Sequence, residues 1–162
     1  MQTHPNVTAV QDGLDAAGAR TAAGTAPQVI VLAEAVHTAA AAAAALGVGV
    51  GQIANSLIFD ADGEPLLVLT SGAHRVDTAR VAAEHGITEL RRATPEFVRE
   101  HTGQPIGGVA PLGHPKPVRT LVDTALARYS EIWAAGGVPR ALFPITYPEL
   151  VRVTAGTPAD VA

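Results

Sequence analysis

The sequence contains no cysteine, and this absence excludes several kinds of chemistry. Among 162 residues a thiol nucleophile, a disulfide framework and a thiolate metal site are all impossible. Lysine and arginine number 11 against 15 acidic residues, a formal net charge of −4, so no basic field favours non-specific nucleic-acid binding. No apolar run approaches the roughly 20 residues of a membrane span, and residues 1–10 lack the features of a signal peptide. These absences predict a cytoplasmic protein that needs no metal or other cofactor and contacts no membrane.

Aromatic residues are also scarce, at 4%, whereas hydrophobic residues make up 48% and charged residues only 16%. The core must therefore be built from alanine, valine, leucine and isoleucine. This length and composition predict one globular domain over residues 1–162, with a core at about 27–154 and partly frayed termini, including the tail after Gly156.

Local patterns predict a mixture of helices and strands. Seven consecutive alanines at 39–45 lie between Thr38, a suitable N-cap, and Gly47, a suitable C-terminal glycine, and predict a short buried helix. Two apolar runs at 48–59 and 66–70, separated by an Asp-Gly turn, predict a β-hairpin. Further strand and helix signals do not alternate strictly. The expected fold class is therefore mixed α/β, a single sheet flanked by helices.

The most informative segment is the loop at 107–115, which is rich in glycine and proline. Glycine allows the backbone to approach a ligand closely, and proline stiffens the loop. The free N–H groups of such a loop suit an anion or a developing oxyanion. The alternative interpretation is an ordinary connecting turn.

Two polar residues, Asn55 and Ser56, interrupt the apolar strand at 48–59. A polar side chain in a buried strand needs a partner. Asn55 either bonds to neighbouring backbone or presents its amide to a cleft, and the sequence leaves both interpretations open. His74, His85 and His101 are predicted to be surface or cap residues without a role.

Five segments in order resemble one known family: Gly51-Gln-Ile-Ala-Asn55-Ser56-Leu-Ile-Phe59, Leu67-Val-Leu-Thr-Ser71-Gly72, Arg75-Val-Asp77, Phe97-Val-Arg-Glu-His-Thr102-Gly103 and Ile106-Gly-Gly-Val-Ala-Pro111-Leu-Gly113-His114. Together they resemble the YbaK/EbsC family, the stand-alone relatives of the editing domain of prolyl-tRNA synthetase. The resemblance implies a curved mixed sheet and hydrolysis of mischarged aminoacyl-tRNA, typically a wrong small amino acid on proline tRNA.

The chain departs from this family at one position. The resemblance implies a lysine on the central strand that activity commonly needs, and Asn55 stands there; the only lysine is Lys116. Asparagine donates hydrogen bonds but carries no charge. Three functions therefore stay open. The preferred one is a trans-editing aminoacyl-tRNA deacylase, and the main alternative is a non-catalytic protein that binds an aminoacylated end, a nucleotide or another small molecule. The third is a regulatory partner of a synthetase, which would use the same surface without turnover.

Candidate site residues follow from the loop, the strand and the resemblance. His114 is a candidate base, unless it is merely an exposed residue before Pro115. Asp123 either orients the substrate's ammonium group or caps the next turn, and His37 with Thr38 either favours a phosphate or only caps a helix. The predicted catalytic residues are Asn55, Gly107, Gly108 and His114; the predicted substrate-binding residues are His37, Thr38, Ser56, Ser71, Gly72, Pro111, Gly113, Lys116, Asp123 and Gly136. The expected partners are the acceptor end of mischarged tRNA and an aminoacyl-tRNA synthetase.

Overall fold

The computed structural model describes residues 4–162, which form five α-helices and eight strands. The helices are α1 (Pro5–Ala16), α2 (Ala39–Leu46), α3 (Thr78–Glu84), α4 (Pro95–Thr102) and α5 (Tyr147–Thr154). The strands are β1 (Ile30–Val31), β2 (Ile53–Ala61), β3 (Glu64–Ser71), β4 (Leu90–Arg92), β5 (Arg119–Asp123), β6 (Ile132–Ala135), β7 (Ala141–Ile145) and β8 (Thr157–Ala159). Short 3₁₀ turns occupy Val50–Gln52 and Thr124–Arg128.

All eight strands belong to one mixed sheet, in the order β1-β7-β6-β2-β3-β5-β8. The hairpin of β2 and β3 forms its antiparallel centre, with Ala54 opposite Ser71 and Ala61 opposite Glu64. β6 joins β2 in parallel, β5 joins β3 in parallel, and the short β4 also pairs with β2. This mixture of directions confirms the predicted mixed α/β class and the predicted hairpin.

Side-chain caps explain why the helices begin where they do. The Thr38 hydroxyl accepts the N–H of Ala41, and Gly47 ends α2 in the left-handed conformation at φ 70°. Thr94 accepts the N–H of Phe97 at the start of α4, which has Pro95 at its first position. Both signals are local in sequence, and the one at Thr38 is the basis of the predicted alanine helix.

The sheet separates the hydrophobic residues into two layers. On one face α1 and α5 cover the sheet, and Leu14, Leu69 and Leu150 are fully buried there. On the other face α3 packs Val81 against Leu66 and Val68. α2 lies on this second face but buries only Ala42 and Ala43, so the prediction of a buried alanine helix is correct for one side of the helix alone.

The prediction that the C-terminal tail is frayed is wrong. Residues after Gly156 are not frayed: β8 pairs in parallel with β5, and Val161 is completely buried. The Val161 carbonyl also accepts the N–H of Asp77. The N-terminal residues 1–3, which were predicted to fray as well, lie outside the described residues. Residues 48–52, predicted as strand, instead lead into β2 through the 3₁₀ turn.

No helix within residues 4–162 combines the length and the apolarity that crossing a bilayer requires.

Candidate functional site

The central strand β2 has an unpaired stretch on one of its edges. On this edge β6 pairs only with Ile53 and Ala54, and β4 pairs only with residues 59–61. Residues 55–58 therefore have β3 on one side and no strand on the other. The resulting gap opens the sheet where the sequence places Asn55 and Ser56.

The register shows which peptide groups face this gap. The Ile53 carbonyl accepts the N–H of Gly72 on the β3 side, at 2.8 Å. Alternate residues of a strand direct their peptide groups to the same edge, so Asn55 and Leu57 also point toward β3. Ser56 and Ile58 consequently direct their N–H and C=O groups into the gap, where a ligand can meet them.

A cleft of about 750 Å³ occupies the gap. Residues 55–59 form its floor, and its walls come from the segment after β3, from Arg92 at the end of β4, and from the glycine loop at Ile106, Gly107 and Val109. A hollow of about 40 Å³ adjoins the cleft, sharing Asn55, Ser56 and Gly107 with it. The hollow is otherwise lined mainly by small and aliphatic side chains, and Thr38 lies at its wall.

Asn55 is half-buried and lines both cavities. Its side-chain amide has no hydrogen-bond partner within residues 4–162, which agrees with the interpretation in which this amide faces a cleft. Ser56 differs, because its hydroxyl oxygen is buried and has no partner in the same described range. A buried polar atom without a partner is uncommon in native proteins.

Two neighbouring residues of the glycine loop, Gly107 and Gly108, have different roles. Gly108 is buried and donates its N–H to the Pro105 carbonyl at 3.0 Å, so this donor is used within the loop. A Cβ at Gly108 would lie 2.6–2.7 Å from backbone atoms of Val138 and Pro139, so glycine is required for this contact. Gly107 is exposed at the cleft, has φ +86°, and its N–H has no acceptor among the described residues. Gly107, rather than Gly108, is thus the residue whose backbone N–H is free to donate to a ligand.

Basic side chains surround the cleft although the whole chain is acidic. Arg75, Arg92, His37 and His74 line it, whereas no aspartate or glutamate appears among its described lining residues. Both arginines are exposed, and neither forms an ion pair with a described residue. The local charge therefore suits an anionic ligand, despite the net charge of −4.

His74, which the sequence predicts to be a surface or cap residue, lines the cleft. Its Nδ1 lies 2.9 Å from Oδ2 of Asp123, whose side chain is only 1% exposed. The same carboxylate accepts the N–H groups of Ser71 and Ala125. The sequence offered no signal for this bond, because 49 residues separate the two side chains.

Several predicted site residues lie away from the cleft. His114 bonds through Nε2 to the Ala110 carbonyl at 2.7 Å, and desolvation by burial lowers the pKa of its imidazole. A Cβ at Gly113 would approach Val10 of α1 rather than the cleft, and Pro111 is buried in the same loop. Lys116 lines a separate hollow beside Glu64 and Glu100. The structure does not bring these four residues to the gap.

The remaining predicted residues support the frame of the site. The Ser71 hydroxyl donates to the Gly51 carbonyl, and a Cβ at Gly72 would clash with the Val50 carbonyl oxygen. Gly136 donates its N–H to the Ala141 carbonyl across the turn from β6 to β7. Asp123 caps the following turn, as the second of its two interpretations predicted, and also holds His74. His37 and Thr38 do line the cavities.

Within residues 4–162 no group of three or more histidines and carboxylates is arranged to hold a metal ion.

Comparisons with known proteins agree with this architecture. A model of the aminoacyl-tRNA editing domain matches residues 33–153. The uncharacterised protein YwhH of Bacillus subtilis (strain 168) is 31% identical over 102 residues, which cover 62% of this chain and 64% of YwhH. The proline–tRNA ligase of Nitratidesulfovibrio vulgaris (strain DP4) is 35% identical over 106 residues, which cover 63% of this chain and 18% of the ligase. The chain thus spans less than two thirds of either curated relative.

Solved structures match over almost the whole chain. A candidate trans-editing enzyme for prolyl-tRNA synthetase superposes with a TM-score of 0.89 at 41% identity, covering 99% of this chain and 98% of that one. The hypothetical protein APE2540 superposes with a TM-score of 0.82 at 30% identity, covering 94% and 98% of the two chains.

Proposed function

This chain belongs to the aminoacyl-tRNA editing domain family, and from that premise we propose that it hydrolyses the ester bond of mischarged aminoacyl-tRNA. Membership confirms the resemblance found in the sequence. The observation that carries the proposal is the gap beside β2, which places the Asn55 amide, the free N–H of Gly107 and unpaired peptide groups around one cleft.

These groups suit the chemistry of ester hydrolysis. Attack of water on an aminoacyl ester builds negative charge on the carbonyl oxygen, and positioned N–H donors stabilise it. The Gly107 N–H and the Asn55 side-chain amide are donors of this kind at the cleft. Removing one such donor typically lowers the rate about 100-fold to 1,000-fold. No protein nucleophile is needed, because the ester is already activated and requires mainly a positioned water.

The rest of the substrate is accommodated by charge and by size. Arg75 and Arg92 are placed to meet phosphates of the acceptor end, while the acidic remainder of the protein does not attract the body of the tRNA. The hollow of about 40 Å³ admits only a small side chain. With the likeness to a candidate trans-editing enzyme for prolyl-tRNA synthetase, this supports a small amino acid on proline tRNA as the substrate. It also supports a cytoplasmic location and association with that synthetase.

A panel of mischarged tRNAs tests the proposal. Purified protein without added metal should release alanine, serine or cysteine from at least one of them faster than the spontaneous rate. Asn55→Ala should lower kcat by about 100-fold or more, because the cleft loses a donor. Arg152→Gln is the matched control, since Arg152 pairs with Glu149 on α5 and does not line the cleft. No acceleration on any member of the panel would favour the non-catalytic binding protein instead.

The missing family lysine can be tested at the same position. Asn55 is half-buried, lines the cleft and has no partner among the described residues, so a lysine has space to extend toward the ligand. Asn55→Lys should therefore preserve folding and raise activity on the family's substrates. Thermal unfolding measured beside activity separates the two effects, and a variant that unfolds would show that Asn55 is a structural residue.

A further inference from the structure

His74 lines the cleft and forms a titratable pair with the buried Asp123, and neither the sequence motifs nor the proposed donors use this pair. His74 lines the cleft with its side chain 29% exposed, and its ring is anchored by Asp123 beneath it at 2.9 Å. Asn55 stands directly opposite Thr70 in the hairpin, and the Thr70 hydroxyl lies 3.4 Å from the same Asp123 oxygen. The pair is therefore connected to the Asn55 end of the gap through a single cross-strand neighbour.

The hydrogen bonds of Asp123 determine which nitrogen of His74 carries the proton. The carboxylate already accepts the N–H groups of Ser71 and Ala125, so it acts only as an acceptor. Its contact with His74 then requires a proton on Nδ1. In the neutral imidazole this leaves Nε2 unprotonated and able to accept a proton. A carboxylate that holds an imidazole in this tautomer is the arrangement that prepares a histidine base.

We propose that His74 is the general base of the hydrolysis and that Asp123 is the residue that positions it. This inference rests on the proposed function. In the reaction Nε2 takes a proton from water as the water oxygen forms a bond to the ester carbonyl carbon. The tetrahedral oxyanion then collapses, the bond to the ribose oxygen breaks, and the imidazolium returns the proton to that oxygen. The products are the free amino acid and a tRNA with a free hydroxyl group.

His74 meets this requirement better than the other histidines do. His114 is bonded to the Ala110 carbonyl away from the cleft, and His37 lines the cleft but has no carboxylate to orient it among the described residues. Asn55 cannot exchange a proton near neutral pH, so the strand position where the family implies a lysine supplies only hydrogen bonds. The titratable group must then come from another element, and the segment after β3 provides it.

Variants of His74 test the proposal through kinetics. His74→Gln should lower kcat about 100-fold while KM changes little, and added imidazole should restore part of the activity of His74→Ala. His101→Gln is the matched control, because His101 lies on α4 beside Phe97 and does not line the cleft. Thermal unfolding of each variant separates lost catalysis from lost folding. A His74→Gln protein that folds and keeps its wild-type rate would overturn the proposal but not the deacylase function.

The pH profile gives a readout that a purely structural role would not change. The pH profile of wild-type activity should contain an inflection that is absent in His74→Gln. The charged groups around His74 are Asp123, the neighbouring Arg75 and Asp160 near the C-terminus, and Arg92 lines the same cleft. Asp123→Asn should shift the inflection and lower kcat while retaining the side chain's shape. An inflection that persists unchanged in folded His74→Gln would overturn the proposal.

The tautomer can be read without any substrate. Nitrogen-15 NMR of the labelled protein should show a protonated Nδ1 and an unprotonated Nε2 in the neutral imidazole of His74. The opposite tautomer would overturn the pair even if the protein is active. If no mischarged tRNA is hydrolysed, the deacylase function fails, and the NMR result still decides whether the pair exists.

Discussion

At the scale of single residues, two buried serine hydroxyls of the central hairpin, on Ser56 and Ser71, differ in their hydrogen bonding. The Ser71 hydroxyl is buried and donates to the Gly51 carbonyl at 2.9 Å, whereas the buried Ser56 hydroxyl has no partner within residues 4–162. Both are the same side chain on adjacent strands of one hairpin. They therefore allow the contribution of a satisfied hydroxyl to be compared directly with that of an orphaned one.

We expect opposite outcomes from the two alanine substitutions. Ser71→Ala should lower the free energy of unfolding by about 1–2 kcal/mol, because the Gly51 carbonyl loses its donor. Ser56→Ala should leave stability within about 0.5 kcal/mol of wild type or raise it, because it removes a buried polar atom that bonds to nothing. Denaturant titrations of both variants measure this difference. A larger loss at Ser56 than at Ser71 would mean that the Ser56 hydroxyl has a partner in solution.

The site residues also show what a sequence pattern can and cannot locate. Asn55 was recognisable because a polar residue interrupts an apolar strand, and Gly107 because glycines cluster beside it. His74 was not recognisable, since its partner Asp123 lies on another strand. Asp123 itself was singled out only for its place at the end of β5. A pattern detects unusual local chemistry, whereas a hydrogen bond across 49 residues leaves no local trace.

At the scale of secondary-structure elements, the glycine loop depends on its contact with the turn between β6 and β7. Gly108→Ala places a Cβ within 2.6–2.7 Å of the backbone of Val138 and Pro139. Backbone atoms cannot move aside as a flexible side chain can, so we expect a loss of roughly 1–3 kcal/mol in the free energy of unfolding. Calorimetry or denaturant unfolding of the Gly108→Ala variant measures this loss of stability.

Gly49→Ala is the matched control for this substitution. Gly49 has a φ of −73°, which alanine adopts readily, and a Cβ there would lie 3.6 Å from Oε1 of Gln52, an ordinary contact. Its stability should change by less than about 0.5 kcal/mol. Equal effects at Gly49 and Gly108 would contradict the proposed packing of the loop against the turn.

The C-terminal strand is the element whose contribution the sequence concealed. β8 covers the outer edge of β5, and the following Val161 is completely buried. Val161→Ala should lower the free energy of unfolding by roughly 1–3 kcal/mol through lost apolar burial and a new cavity. The same substitution at Val31, which is 59% exposed on β1, should have little effect. A Val161 variant as stable as wild type would indicate that the tail is detached in solution.

At the scale of the whole molecule, the charge around the cleft is opposite in sign to the net charge of the chain. The chain carries a net charge of −4, yet the described residues that line the cleft include two arginines and two histidines and no acidic residue. A local basic region in an acidic protein directs a polyanion to one place and repels it elsewhere. This distribution suits recognition of a terminus rather than of an extended nucleic-acid surface.

The consequence is a specific salt dependence. Arg75→Gln should raise KM for aminoacyl-tRNA several-fold with little change in kcat, and should lower the slope of log KM against log salt by about 1, because one phosphate contact is lost. Steady-state kinetics at several salt concentrations measure both quantities. Arg152→Gln should leave both unchanged, since Arg152 is paired with Glu149 on α5. An equal change in the two variants would point to non-specific attraction instead.

The sequence by itself determined the features that depend on neighbouring residues. Helix caps such as Thr38 and Thr94, the Asp-Gly hairpin turn and the stiff glycine loop all act within a few residues of chain, and their composition reveals them. The ordered motifs around these features were also sufficient to identify the family, and with it the mixed α/β fold.

Tertiary structure alone decided the features that join distant segments. The gap beside residues 55–58 exists because β6 and β4 pair with opposite ends of β2. The hydrogen bond between His74 and Asp123 forms because β3 and β5 are parallel neighbours. The C-terminal tail is ordered because β8 pairs with the outer edge of β5. Each depends on which strands meet and in what register, and pairing between distant strands is set by the packing of the whole sheet rather than by any local preference.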